Sequence, residues 1–109
     1  MGLGYIGLPT AAVIARSGCP VLGIDIHEQV VETINSGKIH IEEVDLDGLV
    51  QGVVARGTLR ASLMVEPSDV FIIAVPTPFG DNHIPDTSYV MDAATNIAAA
   101  LKAGDTIIL

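Results

Sequence analysis

Three glycines are the residues whose spacing first points to chemistry. Gly2, Gly4 and Gly7 form G-x-G-x-x-G and run into Leu8-Pro9-Thr10 and the alanine-rich stretch Ala11-Ala12-Val13-Ile14-Ala15. Gly2 allows a tight turn out of a strand, and Gly4, with no Cβ, lets backbone approach a diphosphate. Gly7 lets the next helix lie close on a sheet. The free amides and positive dipole end of that helix then face phosphate oxygens. Pro9 falls in the first helical turn, where a missing N–H costs nothing. About 20 residues further on, Asp25 closes the apolar run Val21-Leu22-Gly23-Ile24, where a carboxylate accepts a ribose 2′-hydroxyl. Ser17-Gly18 and Pro20 stop the helix between them. Glycines and carboxylate together point to a dinucleotide site rather than to an incidental glycine turn. The carboxylate also favours NAD over NADP, because no arginine follows to receive a 2′-phosphate. At a few ångströms and an effective dielectric near 20, that repulsion is about 4 kcal/mol before screening.

A second place for ligand contact lies far along the chain. Val70-Phe71-Ile72-Ile73-Ala74-Val75 is an unbroken apolar run, suited to a strand buried on both faces, and it ends in Pro76-Thr77-Pro78-Phe79-Gly80. Ligands of open α/β sheets gather at the carboxyl ends of strands. Thr77 supplies a hydroxyl there that both donates and accepts. The competing reading of Pro76-Thr77-Pro78 is a stiff surface turn. Glu42, Glu43, Asp45 and Asp47 lie near His40, but their spacing matches no metal loop of defined geometry, so they read as a solvated acidic loop. No metal ligand is assigned. Cys19 is the only cysteine, which excludes an internal disulfide; with no histidine nearby in sequence it reads as a small turn residue rather than a nucleophile.

These groups need elements to hold them. A helix is expected from Leu8 to Arg16, apolar nearly all round, then a strand at Val21–Asp25. A helix follows from His27-Glu28 to a stop at Gly37, with Val30, Val31 and Ile34 on one face. Leu46, Leu49, Val50, Val53 and Val54 recur at helical spacing, with Asp45 as N-cap. A short strand is expected at Leu63–Val65 and the clearest one at Val70–Val75. Asp81 to Asp86 reads as a polar loop. A helix from Ser88 to Lys102 would bury Val90, Ala94, Ile97 and Leu101, and Thr106–Leu109 starts another parallel strand. Helices alternating with apolar strands make this a Rossmann-like, doubly wound α/β sheet. Only Met1 precedes the glycine turn, so the first strand, central in such a sheet, is expected to be missing, and the chain stops within another. The 109 residues read as a partial NAD-binding domain cut at both ends, without substrate or catalytic domains. Alone, they are expected to unfold without cooperativity and to bind NAD weakly.

Composition narrows the partners. Thirteen acidic residues against five basic ones give a formal charge of −8, and the basic residues are scattered, which disfavours nucleic acid and anionic membrane. A dinucleotide is compatible, since backbone dipoles rather than cations meet its phosphates. No leader or apolar run of membrane-spanning length is seen, and a cytoplasmic location is expected.

Three stretches together resemble the NAD-binding domain of the UDP-glucose/GDP-mannose dehydrogenase family: Gly2-Leu3-Gly4-Tyr5-Ile6-Gly7-Leu8-Pro9, Gly23-Ile24-Asp25 and Ala74-Val75-Pro76-Thr77-Pro78-Phe79. Gly37-Lys38-Ile39-His40-Ile41-Glu42-Glu43, Leu59-Arg60-Ala61-Ser62 and Pro85-Asp86-Thr87-Ser88-Tyr89-Val90 are most similar to the branch that oxidises UDP-N-acetylmannosamine. Members acting on UDP-glucose usually carry glycine-threonine-proline at the strand exit. Val44, where that branch tends to have proline, departs from the pattern. The resemblance implies NAD as cofactor and contacts to it from Gly2, Gly4, Tyr5, Ile6 and Gly7, from Asp25, and from Val75, Pro76 and Thr77. It implies oxidation of a sugar C6 alcohol to a carboxylate with two NAD through a cysteine thioester. In the family that cysteine, and the lysine and asparagine assisting it, lie beyond this chain's end. Cys19 does not align with it, so no catalytic residue is assigned. A homo-oligomeric full-length enzyme, with the UDP-sugar bound by the absent domains, is the further expectation. UDP-glucose and UDP-N-acetylglucosamine 6-dehydrogenases are the alternatives within the family. Outside enzyme function, the alternative is a non-catalytic nucleotide-binding fragment.

Overall fold

Parallel pairing dominates the computed structural model, which describes residues 1–109 except for the side chain of Asp81. Helix α1 spans Gly7–Arg16 and strand β1 Val21–Ile24. Helices α2 (Glu28–Asn35) and α3 (Leu46–Ala55) follow, then strands β2 (Leu59–Ser62) and β3 (Val70–Ile72). A 3₁₀ turn at Asp81–His83 leads to α4 (Ser88–Ala98) and β4 (Thr106–Ile108). Strand β1 pairs in parallel with β2, Val21 against Leu59 through Ile24 against Ser62. Strand β3 pairs in parallel with β4, Val70 against Thr106 through Ile72 against Ile108.

Met1 and Gly2 join the two pairs. The Met1 amino group donates to the Ile72 carbonyl at 2.8 Å, and the Ala74 amide donates back to the Met1 carbonyl at 2.8 Å. On the other side the Gly2 amide donates to the Ile24 carbonyl at 2.7 Å. The spatial order is therefore β2, β1, Met1–Gly2, β3, β4, that of a doubly wound Rossmann-like sheet with the opening segment at its centre.

Local sequence explains the elements. Gly18 (φ +97°) and Gly57 (φ +77°) end α1 and α3 in the left-handed conformation that favours glycine. The acidic stretch enters α3 through Asp45, itself left-handed (φ 64°), and no side chain caps that helix. The expected Asp45 cap is thus only positional. The Asn35 side chain, at the end of α2, bonds the outer edge of β2 twice: Nδ2 donates to the Ala61 carbonyl (2.9 Å) and Oδ1 accepts the Ala61 amide (2.8 Å). That contact satisfies an edge strand that would otherwise be open.

Several expectations are corrected. The strand expected at Leu63–Val65 lies instead at Leu59–Ser62, where Leu59 and Ala61 are buried and Arg60 is exposed. Leu63 and Met64 are exposed in the turn beyond it. Helix α1 is not apolar-buried all round, since Val13 is exposed while Leu8, Ala11, Ala12 and Ala15 are buried. Helix α4 ends at Ala98 and buries Ala93 and Ile97; Ala94 and Leu101 face solvent. The expected Val70–Val75 strand is assigned only to Ile72, although its ladder continues through the Ile73 amide on the Ile108 carbonyl and the Ala74 amide on Met1.

The core is unevenly shared. Thirteen buried residues, among them Leu3, Leu8, Ile34, Val50, Val53 and Leu59, pack α1, α2 and α3 over β1 and β2. Only four, Phe71, Ile73, Ala93 and Ile97, form the cluster under β3 and α4. Burial sets the free energy of local opening. In a complete enzyme carrying these residues, native-state hydrogen exchange is therefore expected to protect amides of β1 and β2 more strongly than those of β3 and β4. Equal protection would mean that the Met1–Gly2 bridge welds both halves into one cooperative unit.

Candidate functional site

The opening turn is built by close backbone approach. Gly2 holds φ +91°, and a Cβ there would stand 2.6 Å from the Ala74 carbonyl oxygen. A Cβ on Gly7 would overlap the Gly2 carbonyl oxygen. Gly4 is different: a Cβ there would meet nothing within 4 Å. The space over Gly4 is open to a ligand, whereas Gly2 and Gly7 serve the turn itself.

This turn leaves donors free. The Gly2 amide is used by Ile24 and the Leu3 amide by Asp25. The helix ladder begins with the Leu8 amide on the Gly4 carbonyl (3.1 Å). Among the described residues, no acceptor meets the amides of Gly4, Tyr5, Ile6 or Gly7, and no side chain caps α1. Gly4, Tyr5 and Ile6 are exposed. Four consecutive donors at the positive end of a helix form a cradle for an anion.

Asp25 stands directly beside that cradle. Its Oδ2 accepts the Leu3 amide at 3.0 Å. Its Oδ1 accepts the His27 amide at 3.0 Å and the His27 ring Nδ1 at 2.8 Å. Because an ionised carboxylate only accepts, Nδ1 carries the proton in this contact. Burial raises the Asp25 pKa, but the amides of His27 and Leu3, with the His27 ring, outweigh it and hold the carboxyl below its ordinary value. Burial pushes the Met1 ammonium down, against the pull of the same carboxylate.

The sign of the resulting pH dependence follows. A carboxyl depressed in the folded state stabilises the fold above its unfolded value, about 3.9, and that contribution is lost as pH falls through the folded value. In a complete enzyme carrying this domain, Asp25→Asn is expected to flatten the acid limb of stability followed by circular dichroism. An unchanged acid limb would place the titration elsewhere.

A cleft of about 160 Å³ runs from Gly2 and Asp25 to Val75 and Pro76, with His27 and, from α4, Tyr89, Asp92, Ala93 and Asn96 also lining it. The sheet therefore brings Gly2, Asp25, Val75 and Pro76 together, next to the amides of Gly4 to Gly7. Thr77 is exposed one residue beyond the lining stretch. A larger cavity of about 530 Å³ lies between β1 and β3, lined by Leu22, Gly23, Val70 and Ile72 with Ala11 and Ile14 of α1. Gly2, Leu3 and Gly7 also line it, but neither Asp25 nor Gly4 does.

Sequence reading missed Leu3, His27 and the α4 residues. Leu3 acts through a main-chain amide, which no side-chain type announces. His27 is positioned by an Asx turn after Asp25, and an aspartate two residues before a histidine is the signal that could have exposed it. Cys19 is exposed. Among the described residues, no group of three histidine, cysteine or carboxylate side chains could hold a metal, and no helix is long and apolar enough to cross a membrane.

A parallel sheet reversing direction at an amide-lined turn, with a carboxylate on the neighbouring strand, defines the dinucleotide-binding class of α/β domain. The open space over Gly4 and the four free amides fit a diphosphate. The chain matches the model of the UDP-glucose/GDP-mannose dehydrogenase family NAD-binding domain over residues 1–109, and it belongs to that family. It is 56% identical over its whole length to an NDP-N-acetyl-D-galactosaminuronic acid dehydrogenase of Ralstonia nicotianae, covering 26% of that protein. It is 54% identical to a UDP-N-acetyl-D-mannosamine dehydrogenase of Campylobacter jejuni, again over its whole length and 27% of the relative. Among solved structures, the UDP-N-acetyl-mannosamine dehydrogenase Cap5O of Staphylococcus aureus superposes with a TM-score of 0.94 at 47% identity, over 97% of this chain and 26% of that one. The chain spans about a quarter of the length of the curated relatives it matches. The expected family, fold class and cofactor therefore hold: this is a Rossmann-like NAD-binding domain.

Proposed function

We propose that these residues are the NAD-holding part of a nucleotide-sugar 6-dehydrogenase, acting on UDP-N-acetylmannosamine and taking it to the uronic acid with two NAD. The observation that carries the reading is the placement of four free amides, Gly4 to Gly7, beside a carboxylate already anchored to the same turn by the Leu3 amide. In it the amides of Gly4, Tyr5, Ile6 and Gly7 bind the diphosphate, and the open space over Gly4 admits it. Gly2 keeps the turn pressed on Ala74, Asp25 accepts from the adenosine ribose, and Val75, Pro76 and Thr77 bound the far side. NAD, when held, supplies the hydride acceptor; the chain's part is binding and orientation. The catalytic groups and the sugar site belong to domains other than this one. The whole enzyme is a cytoplasmic homo-oligomer in this reading, with no nucleic-acid or membrane partner.

The two relatives above, one named for N-acetyl-D-galactosaminuronic acid and one for UDP-N-acetyl-D-mannosamine, point to a 2-acetamido hexose. That favours UDP-N-acetylmannosamine over UDP-glucose and admits its galacto isomer as the second reading. The test is a chimera in which these 109 residues replace the matching quarter of the Campylobacter jejuni relative. It is expected to reduce NAD when given UDP-N-acetylmannosamine. A folded chimera that binds the UDP-sugar and reduces no NAD would contradict the proposal.

A further inference from the structure

Asp25 does not present a free carboxylate to the cleft. Its Oδ1 already takes two hydrogen bonds, both from His27: the main-chain amide at 3.0 Å and ring Nδ1 at 2.8 Å. Oδ2 takes only the Leu3 amide at 3.0 Å. A carboxylate oxygen accepts about two hydrogen bonds, so Oδ2 has capacity for one more donor and Oδ1 has none. The His27 ring lines the same cleft and its side chain is 69% exposed, against 12% for Asp25.

We propose that His27 sets the 2′-selectivity of this site, by confining Asp25 to a one-oxygen contact with the ribose and by presenting its second ring nitrogen toward the 2′ position. The proposal rests on the reading of this cleft as the adenosine-ribose pocket. The chemistry follows from the tautomer. With Nδ1–H committed to Asp25, a neutral ring offers Nε2 as a lone-pair acceptor, which suits a 2′-hydroxyl and repels a 2′-phosphate. The other ionisable groups of the cleft are the Met1 ammonium, Asp25, Tyr89 and Asp92. Among the described residues no lysine or arginine lines it, so no side-chain cation of that kind offsets a 2′-phosphate.

The test compares NAD and NADP affinities, by isothermal titration at one fixed pH, of the chimera in which these 109 residues replace the matching quarter of the Campylobacter jejuni relative. The unsubstituted chimera is expected to bind NAD at least about tenfold more tightly than NADP, within the reach of a carboxylate's repulsion of a 2′-phosphate. In His27→Leu, NAD affinity falls several-fold, about the loss of one hydrogen bond, while NADP affinity does not fall with it, so the preference for NAD shrinks. In His27→Asn the side-chain amide replaces Nδ1–H, and NAD affinity is largely rescued. A carbon-detected titration of the Asp25 carboxyl is expected to move upward in His27→Leu and to return in His27→Asn. A His27→Leu variant that keeps both the NAD affinity and the NAD-to-NADP ratio of the unsubstituted chimera overturns this inference alone. Failure of the chimera to bind either dinucleotide overturns the cofactor reading and this inference with it.

Discussion

Gly7→Ala is expected to abolish the fold around α1, while Gly4→Ala leaves the fold intact and weakens NAD binding. The two glycines sit three residues apart in one turn, yet their surroundings are opposite. An alanine Cβ at Gly7 would overlap the Gly2 carbonyl oxygen, which is main chain and cannot swing aside. Gly2 is itself wedged against Ala74, so relief requires moving the segment that joins the two strand pairs. That displacement would pull Leu3 and Leu8, both fully buried, from the larger core. Loss of even one such leucine contact set costs about 2–5 kcal/mol, a large fraction of a small domain's stability. In the chimera, the expected result is a folded yield and melting temperature well below those of the unsubstituted protein. At Gly4 a Cβ meets nothing within 4 Å and the backbone is not in the left-handed region. Gly4→Ala should therefore retain the wild-type amide spectrum. The added methyl occupies the space proposed for the diphosphate, and NAD affinity should fall by at least about tenfold, one lost phosphate contact being worth about 1.5–3 kcal/mol. A Gly4→Ala protein that binds NAD normally would place the diphosphate elsewhere.

Asp25→Asn carries the second large effect, on cofactor choice. Removing the charge weakens the ribose hydrogen bond by about 1 kcal/mol, the difference between a bond to a charged acceptor and one to a neutral acceptor. It also removes the repulsion toward a 2′-phosphate, about 4 kcal/mol at an effective dielectric near 20 before screening. The two changes act in opposite directions on NAD and NADP, so the affinity ratio should move by about a hundredfold or more toward NADP. The substitution has a structural cost as well. Asp25 accepts both the Leu3 and the His27 amides, through different oxygens, and asparagine has only one acceptor oxygen. One amide is left without its partner, and the Leu3 one is the more damaging because that residue is buried. Isothermal titration with both dinucleotides reads the ratio directly. A ratio unchanged by Asp25→Asn would remove the carboxylate from the ribose.

Much of this was legible in sequence, and the parts that were not share a physical cause. The glycine spacing located α1 to within a residue, because G-x-G-x-x-G is a statement about backbone clearance and needs no tertiary information. The long apolar run at Val70 found β3 for the same kind of reason: continuous burial leaves a continuous signature. Strand β2 was misplaced because Leu63-Met64-Val65 is more apolar than Leu59-Arg60-Ala61-Ser62. The true strand shows the alternation of a half-buried edge, buried at Leu59 and Ala61 with Arg60 in solvent. The exposed Leu63 and Met64 carry no pattern at all. In α4 the buried face turns toward Ala93 rather than Ala94, a rotation that small residues on neighbouring positions do not reveal. At the site, the Asp25 carboxylate was legible and its partners were not. The Leu3 amide is main chain, and the His27 ring reaches Asp25 only because an Asx turn folds it back.

The account depends on where the dinucleotide rests. Adding NAD to the ¹⁵N-labelled chimera that carries these 109 residues in the Campylobacter jejuni relative, and following this domain's amides, tests this directly. The account predicts saturable shifts at Gly4, Tyr5, Ile6 and Gly7 together with Asp25, His27 and Val75, while Leu22, Gly23 and Val70 around the larger cavity stay still. Shifts centred on that cavity between β1 and β3, or an unmoved Gly4–Gly7 turn at saturating NAD, would contradict it.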